Sequence, residues 1–128
     1  MTGLFTGIHH ASLLVADTRR SLAFYQGILG METVARPDLG FPGAWLAVGQ
    51  QQIHLLELPS PDPVTGRPDH GGRDRHVAIM ATDLDALVHR LSLNRVPFSR
   101  SKSGRSALFC RDPDGNTLEI IEIARGSA

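Results

Sequence analysis

Two stretches of this chain carry the same spacing. His10 stands seven residues before Asp17 in HASLLVAD, and His76 stands seven before Asp83 in HVAIMATD. Later in each half an apolar strand pattern returns, IHLLEL around His54 and LEIIEI around Glu119. Superposed, His10 falls on His76 and His54 on Glu119, at offsets of 66 and 65 residues. The chain must therefore build one unit twice. A repeat that keeps His and Glu inside apolar strands also asks for a chemical reason. The most economical one is a metal site shared across a pseudo-twofold axis, since imidazole and carboxylate are ligands for divalent ions.

Each half alone, at roughly 60 residues, would be marginally stable, whereas the whole chain of 128 residues suits one domain with one sizeable core. Two halves that share a core, or trade halves with a second chain, meet that constraint. Thirteen Lys and Arg balance thirteen Asp and Glu. Zero net charge gives no electrostatic case for nucleic acid or an anionic membrane surface. Cys110 is the single cysteine, so no intrachain disulfide forms and a reducing compartment fits. The first ten residues lack a basic segment followed by an apolar one, the mark of a signal peptide. No apolar run approaches the roughly 20 residues needed to span a bilayer. The expected setting is cytoplasmic.

Hydrophobic periodicity gives each half the order βαβββ. In the first unit, about 6–58, residues 8–16 read as a strand, and Asp17 or Thr18 caps a helix. Leu22, Tyr25 and Leu29 recur at helical spacing, and Gly30 stops the helix. Strands follow at 31–36, 44–48 and 52–58, the last two joined as a hairpin at Gly49. The second unit, about 75–124, has a strand at 75–81. A helix capped by Asp83 follows, with Leu84, Leu87, Val88 and Leu91 as its apolar stripe. Strands at 96–99, 105–111 and 117–124 complete it. The Pro- and Gly-rich segment 59–74 between the units reads as an irregular linker without an element of its own.

Alternation along a strand aims neighbouring side chains at opposite faces. Leu118 and Ile120 therefore face the helices, and Glu119 faces away. Ile53 and Leu55 oppose His54, and Val77 and Ile79 oppose His76. Every candidate ligand lies on the face turned from the helices. Glu57 and Glu122 also match across the repeat, but on the helix side, and read as structural or surface groups. Cys110 has the opposite parity to Phe109 and packs under the helices. Asp112 and Asp114 in DPDG are accounted for by turn geometry. His70 in the linker and His89 on the helix read as solvent-exposed.

The motifs IHHASLLVADTRRSLAFYQGILGM, RHVAIMATDLDAL and RDPDGNTLEIIE resemble those of the vicinal oxygen chelate superfamily. That superfamily includes glyoxalase I, extradiol dioxygenases and bleomycin-resistance proteins. The resemblance spans residues 6–124. It implies an α+β fold in which two βαβββ modules form curved mixed sheets around a shared metal cavity. It carries the metal ligands onto His10, His54, His76 and Glu119, and implies that His9, displaced by one, points away. Many isomerase-type relatives have Glu or Gln where this chain has His54. The resemblance also implies a homodimer and a small-molecule substrate.

Two or three imidazoles with one carboxylate suit one divalent first-row ion, Fe, Ni, Zn, Mn or Co. The function expected is that of a glyoxalase-like lyase or isomerase. The ion would chelate vicinal oxygens of a small substrate and stabilise an enediolate-like intermediate, and Glu119 would move a proton between adjacent carbons. A first alternative is an Fe(II) extradiol-type dioxygenase using His10, His76 and Glu119, with His54 as a bystander or an acid–base residue. A second is a non-enzymatic protein that binds a drug or metabolite, as bleomycin-resistance proteins do. Arg105 shares parity with Ala107 and Phe109. It is a candidate anchor for an anionic substrate group if Phe109 faces the cavity, and otherwise a surface residue at a strand start. Trp45 either lines the cavity and stacks on a planar substrate or serves as a core or interface aromatic.

Overall fold

The computed structural model describes residues 3–123. The first unit contains β1 (His10–Val15), a helix opening with α1 (Thr18–Leu22), β2 (Glu32–Val34), β3 (Gly43–Val48) and β4 (Gln51–Glu57). Its sheet runs in the order β1-β4-β3-β2. The second unit contains β5 (His76–Ala81), α2 (Leu84–Leu93), β6 (Phe98–Arg100), β7 (Ala107–Arg111) and β8 (Thr117–Glu122), in the order β5-β8-β7-β6. In each sheet the first strand pairs parallel with the last, and the other pairs are antiparallel. The expected α+β architecture, βαβββ twice, is therefore present. Residue 124, the expected end of the last strand, lies outside the described residues.

The repeated aspartates start the helices. Asp17 accepts from the backbone N–H groups of Arg19 and Arg20 at 2.9 and 3.2 Å, and Asp83 accepts from that of Ala86 at 3.0 Å. The repeated glutamates finish the same task from the adjoining strand. Glu57 accepts from the Thr18 N–H, and Glu122 from the Leu84 N–H, each at 2.8 Å. Helix-terminal donors thus find partners that the repeat itself supplies.

The first helix departs from the regular pattern. Residues Ala23–Ile28 form a π-helical turn, with the Leu29 N–H bonded to the Phe24 carbonyl at 2.9 Å. The wider turn carries the adjacent Phe24 and Tyr25 both into the core, where they are 4% and 0% exposed. Apolar spacing alone does not register that insertion. The hairpin at Gly49 is as expected: two residues join β3 to β4, and Gly49 has φ +57°, as the first position of a type II′ turn requires.

One core lies between the sheets and the helices. Leu46, Ile53 and Leu55 of the first unit join Leu91, Leu108, Leu118 and Ile120 of the second. Cys110 belongs to it, and burial pushes its thiol up to about 12, so it is no nucleophile. Polar bonds also cross between the units. Tyr25 donates to Asp112 at 2.7 Å, and the Asn116 amide donates to the Leu14 carbonyl at 3.0 Å. Asp112 does build its turn, accepting from the Asp114 and Asn116 N–H groups at 2.9 Å each. Turn geometry is not its whole role, since it is also buried beneath Tyr25.

The linker is more ordered than its composition implies. Gly71–Arg73 form a 3-10 turn against β7 and β8. A side chain at Gly71 would come within 2.7 Å of Thr117 Cγ2 and 2.9 Å of Phe109 Cβ, so only glycine fits. His70 is half-buried rather than exposed. It accepts the Gly72 N–H at 3.0 Å and meets the edge of Phe109 with ring centres 5.1 Å apart. Arg111 donates to the Pro68 carbonyl and to Asp74, and Arg67 donates to the same Asp74 oxygen. These bonds strap the linker across the second sheet. Several strand bounds also shift: β1 begins at His10 instead of residue 8, β2 ends at Val34 instead of residue 36, β6 begins at Phe98 instead of residue 96, and β7 begins at Ala107 instead of residue 105.

Candidate metal centre

Strand register places the candidate ligands as alternation predicts. His10 pairs with Gln52 across β1 and β4, and Trp45 pairs with His54 across β3 and β4. In the second sheet His76 pairs with Thr117, and Phe109 with Glu119. All share the face turned from the core, while their neighbours Ile53, Leu55, Ile79, Leu118 and Ile120 enter the core.

In the second unit His76 and Glu119 meet. The Nδ1 of His76 lies 2.8 Å from the carbonyl of Asp74, which can only accept, so Nδ1 carries a proton. Its Nε2 points at Glu119 Oε1, 3.2 Å away. A neutral imidazole oriented this way sets a lone pair against a carboxylate oxygen, an arrangement that calls for a proton or a cation between them. A backbone carbonyl fixing the far nitrogen is also how proteins orient ligating histidines. His76 and Glu119 therefore fit a divalent ion. The other oxygen of Glu119, Oε2, accepts from Arg105 at 2.9 Å. The Glu119 side chain is 5% exposed and that of Arg105 is 56% exposed.

In the first unit the aromatic rings form a column. His54 is stacked between His10, 3.8 Å away at 15°, and Trp45, 4.2 Å away at 6°. Its Nε2 donates to Gln52 Oε1 at 2.7 Å, which leaves Nδ1 with the lone pair. Burial chiefly, then the charges of His10, His9 and Arg36, holds the His54 imidazole below its ordinary range, in the neutral form that binds metals. The lone pairs of nearly parallel rings do not converge on a point about 2.1 Å away, so both rings reach one ion only after the exposed His10 turns. His9 lies outside β1, and its Nδ1 approaches that of His10 at 2.9 Å.

The four ligand candidates thus stand as two pairs, His10 with His54 and His76 with Glu119. Among the described residues no three His, Cys, Asp or Glu side chains converge on one point. A cleft of about 790 Å³ runs between β1 and the start of β5 and includes His76 but none of the other three.

Phe109 lies on the ligand face, 7% exposed, with its ring edge-on to His76 at 5.3 Å. Trp45 is half-buried on the same face as His54 and outside the core cluster. Arg105 precedes β7, so strand parity does not position it. Its Nε donates to Ser103 Oγ at 3.2 Å, and that contact turns the guanidinium onto Glu119. Arg75, just after the linker, pairs with Asp62.

Sequence reasoning misses two residues that touch the ligands. Gln52 is within its reach, since it stands two residues before His54 on the same face. Asp74 is not, because its carbonyl finds His76 only through the path of the linker.

A family model described as the glyoxalase/bleomycin resistance protein/dioxygenase superfamily matches residues 7–120. Glyoxylase I 4 of Arabidopsis thaliana is 30% identical over 121 residues, covering 90% of this chain and 70% of the relative. A lactoylglutathione lyase of Salmonella typhimurium is 30% identical over 122 residues, covering 88% of this chain and 90% of the relative. Among solved structures, a putative glyoxalase family protein from Bacillus anthracis superposes with a TM-score of 0.80 at 22% identity. It covers 95% of this chain and 98% of its own.

Proposed function

Because the chain belongs to the glyoxalase/bleomycin resistance protein/dioxygenase superfamily, we propose that it is a divalent-metal-dependent lyase or isomerase. Its substrate would be a small molecule with two neighbouring oxygens. The observation that carries this reading is the posture of His76, held at Nδ1 by the Asp74 carbonyl with Nε2 aimed at the buried Glu119 carboxylate. His10 and His54 complete the ligand set. Similarity to a lactoylglutathione lyase supports the choice of reaction class.

An ion held by these residues would supply Lewis acidity toward the two substrate oxygens and the negative charge developing on them. Glu119 takes a proton from one carbon and returns it to the next. A carboxylate that is 4% exposed keeps that proton from exchanging freely with water. Phe109 and Trp45 wall the site, and Arg105 stands at its rim as the partner for an anionic substrate group.

The two ligand pairs come together when a second copy of the chain supplies one of them. The open faces of β1 and β5 support a dimer. Met80, on the His76 face of β5, is 63% exposed, and Leu4, Phe5 and Ile8 just before β1 are 86%, 90% and 77% exposed. Apolar groups this open beside a ligand-bearing face mark a contact surface.

The test is metal content by elemental mass spectrometry, on protein purified without a His tag, beside His10→Ala. About one equivalent of a first-row ion per chain, lost in the variant, supports the site. Ni, Co, Zn or Mn, with turnover of the methylglyoxal–glutathione hemithioacetal, supports the lyase. Iron with oxygen uptake turns the assignment to a dioxygenase. A protein that takes up no metal after reconstitution is a binding protein instead. Sedimentation of the same sample as a monomer would remove the shared-site arrangement.

A further inference from the structure

Glu119 is the one ligand candidate already engaged by a full positive charge. Its side chain is 5% exposed, and a carboxylate that far from water needs compensation. Among the described residues, its two oxygens contact His76 Nε2 at 3.2 Å and the Arg105 guanidinium at 2.9 Å. The guanidinium is held in place by its surroundings. Gly104, at φ +83°, turns the chain just before it, and Ser103 Oγ accepts from both its backbone N–H and its Nε. Ser103 Oγ is in turn bonded to Ser101 Oγ at 2.7 Å.

We infer that Arg105 competes with the divalent ion for Glu119, and that this competition sets the protein's metal affinity. The inference rests on the metal reading proposed above. A divalent cation beside Oε1 and a guanidinium on Oε2 of the same carboxylate repel each other, so loading the ion works against the Arg105 contact and favours its release. The displacement is sterically free, because the Arg105 side chain is 56% exposed and sits on a loop ahead of β7. The released guanidinium stays tethered at the rim of the site with its donor fork unpaired, suited to a carboxylate or phosphate group on a ligand. Metal and anionic ligand then favour each other's binding, and each strengthens the other by the same factor.

The experiment is a calorimetric titration of Zn²⁺ into tag-free wild-type protein, Arg105→Gln and Arg105→Lys, with the arginine Nε–H resonances followed by NMR. Arg105→Gln is expected to bind Zn²⁺ roughly twofold to fivefold more tightly than wild type, the loss of one half-exposed ion pair. Arg105→Lys should fall between them. In wild type, one Nε–H signal, absent from Arg105→Gln, should move as Zn²⁺ is added. Zn²⁺ binding by Arg105→Gln but not by wild type would support the inference more strongly. Equal affinity in both, or weaker binding by Arg105→Gln, overturns the competition and leaves the metal site standing. Zn²⁺ binding by neither protein overturns the metal reading and this inference with it.

Discussion

The phenol of Tyr25 donates a 2.7 Å hydrogen bond to the carboxylate of Asp112, 87 residues further along the chain. Tyr25 sits in the π-helical turn of the first unit, and Asp112 in the turn between β7 and β8 of the second. Both are buried, 0% and 5% exposed. Burial raises both groups, Tyr25 well above the ordinary tyrosine range and Asp112 above the ordinary aspartate range. Tyr25→Phe keeps the ring and removes the donor. It should cost about 1–2 kcal/mol of stability, read as a lowered midpoint in urea at unchanged slope. The Tyr25 bond also favours the ionised carboxylate, so Asp112 should titrate higher still in the variant, measurable by carbon-detected NMR. A wild-type midpoint would mean that packing alone joins the units.

Asp74 gathers the strap. Its side chain accepts from Arg67 at 2.9 Å and Arg111 at 2.8 Å, and those guanidinium groups, led by Arg111, hold it well below the usual carboxylate range. A carboxylate depressed in the folded state stabilises fully above its unfolded value, about pH 4. That contribution is lost as pH falls through the lower folded value. Asp74→Asn should cost about 2 kcal/mol at pH 7. The gap from wild type should begin to close below about pH 4. Thermal melts of both proteins from pH 7 to pH 2.5 check this, and a gap independent of pH would contradict it.

Gly71 is a packing constraint rather than a hinge. Gly71→Ala drives a methyl group into Thr117 and the base of Phe109. Overpacking of this kind costs about 1–3 kcal/mol. Because Phe109 faces His76, the variant should also weaken metal binding, while Gly66→Ala, remote from that contact, should not. Calorimetry and a thermal melt read the two effects separately.

His76→Ala and Glu119→Gln should each abolish metal loading. Their metal-free forms should keep the wild-type circular dichroism spectrum, since neither side chain belongs to the core cluster. Unfolding of both variants in the absence of metal would make these residues structural and remove the site.

Much of this arrangement is legible in the order of the residues. The 65- and 66-residue offsets imply two βαβββ units. Alternation places His10 and His54 on one open face, and His76 and Glu119 on the other. Parity separates Glu57 and Glu122 from the ligands, although it does not reveal their bonds to the Thr18 and Leu84 N–H groups. The reading runs out where neither period applies. Arg105 does reach the face that carries Phe109 and Glu119, but from a loop, aimed by Ser103 rather than by strand parity. Composition makes His70 an exposed linker residue, yet the linker folds it onto Phe109.

The sequence by itself determined which faces carry chemistry, because alternation and capping are local rules acting over two to five residues. Tertiary structure decided the rest. It bonded Tyr25 to Asp112, brought the Asp74 carbonyl to His76, laid Arg105 on Glu119 and kept the two ligand pairs apart. Those contacts join residues distant in sequence or oriented by irregular loops. They exist only once the core has closed and every buried donor and charge has had to find a partner.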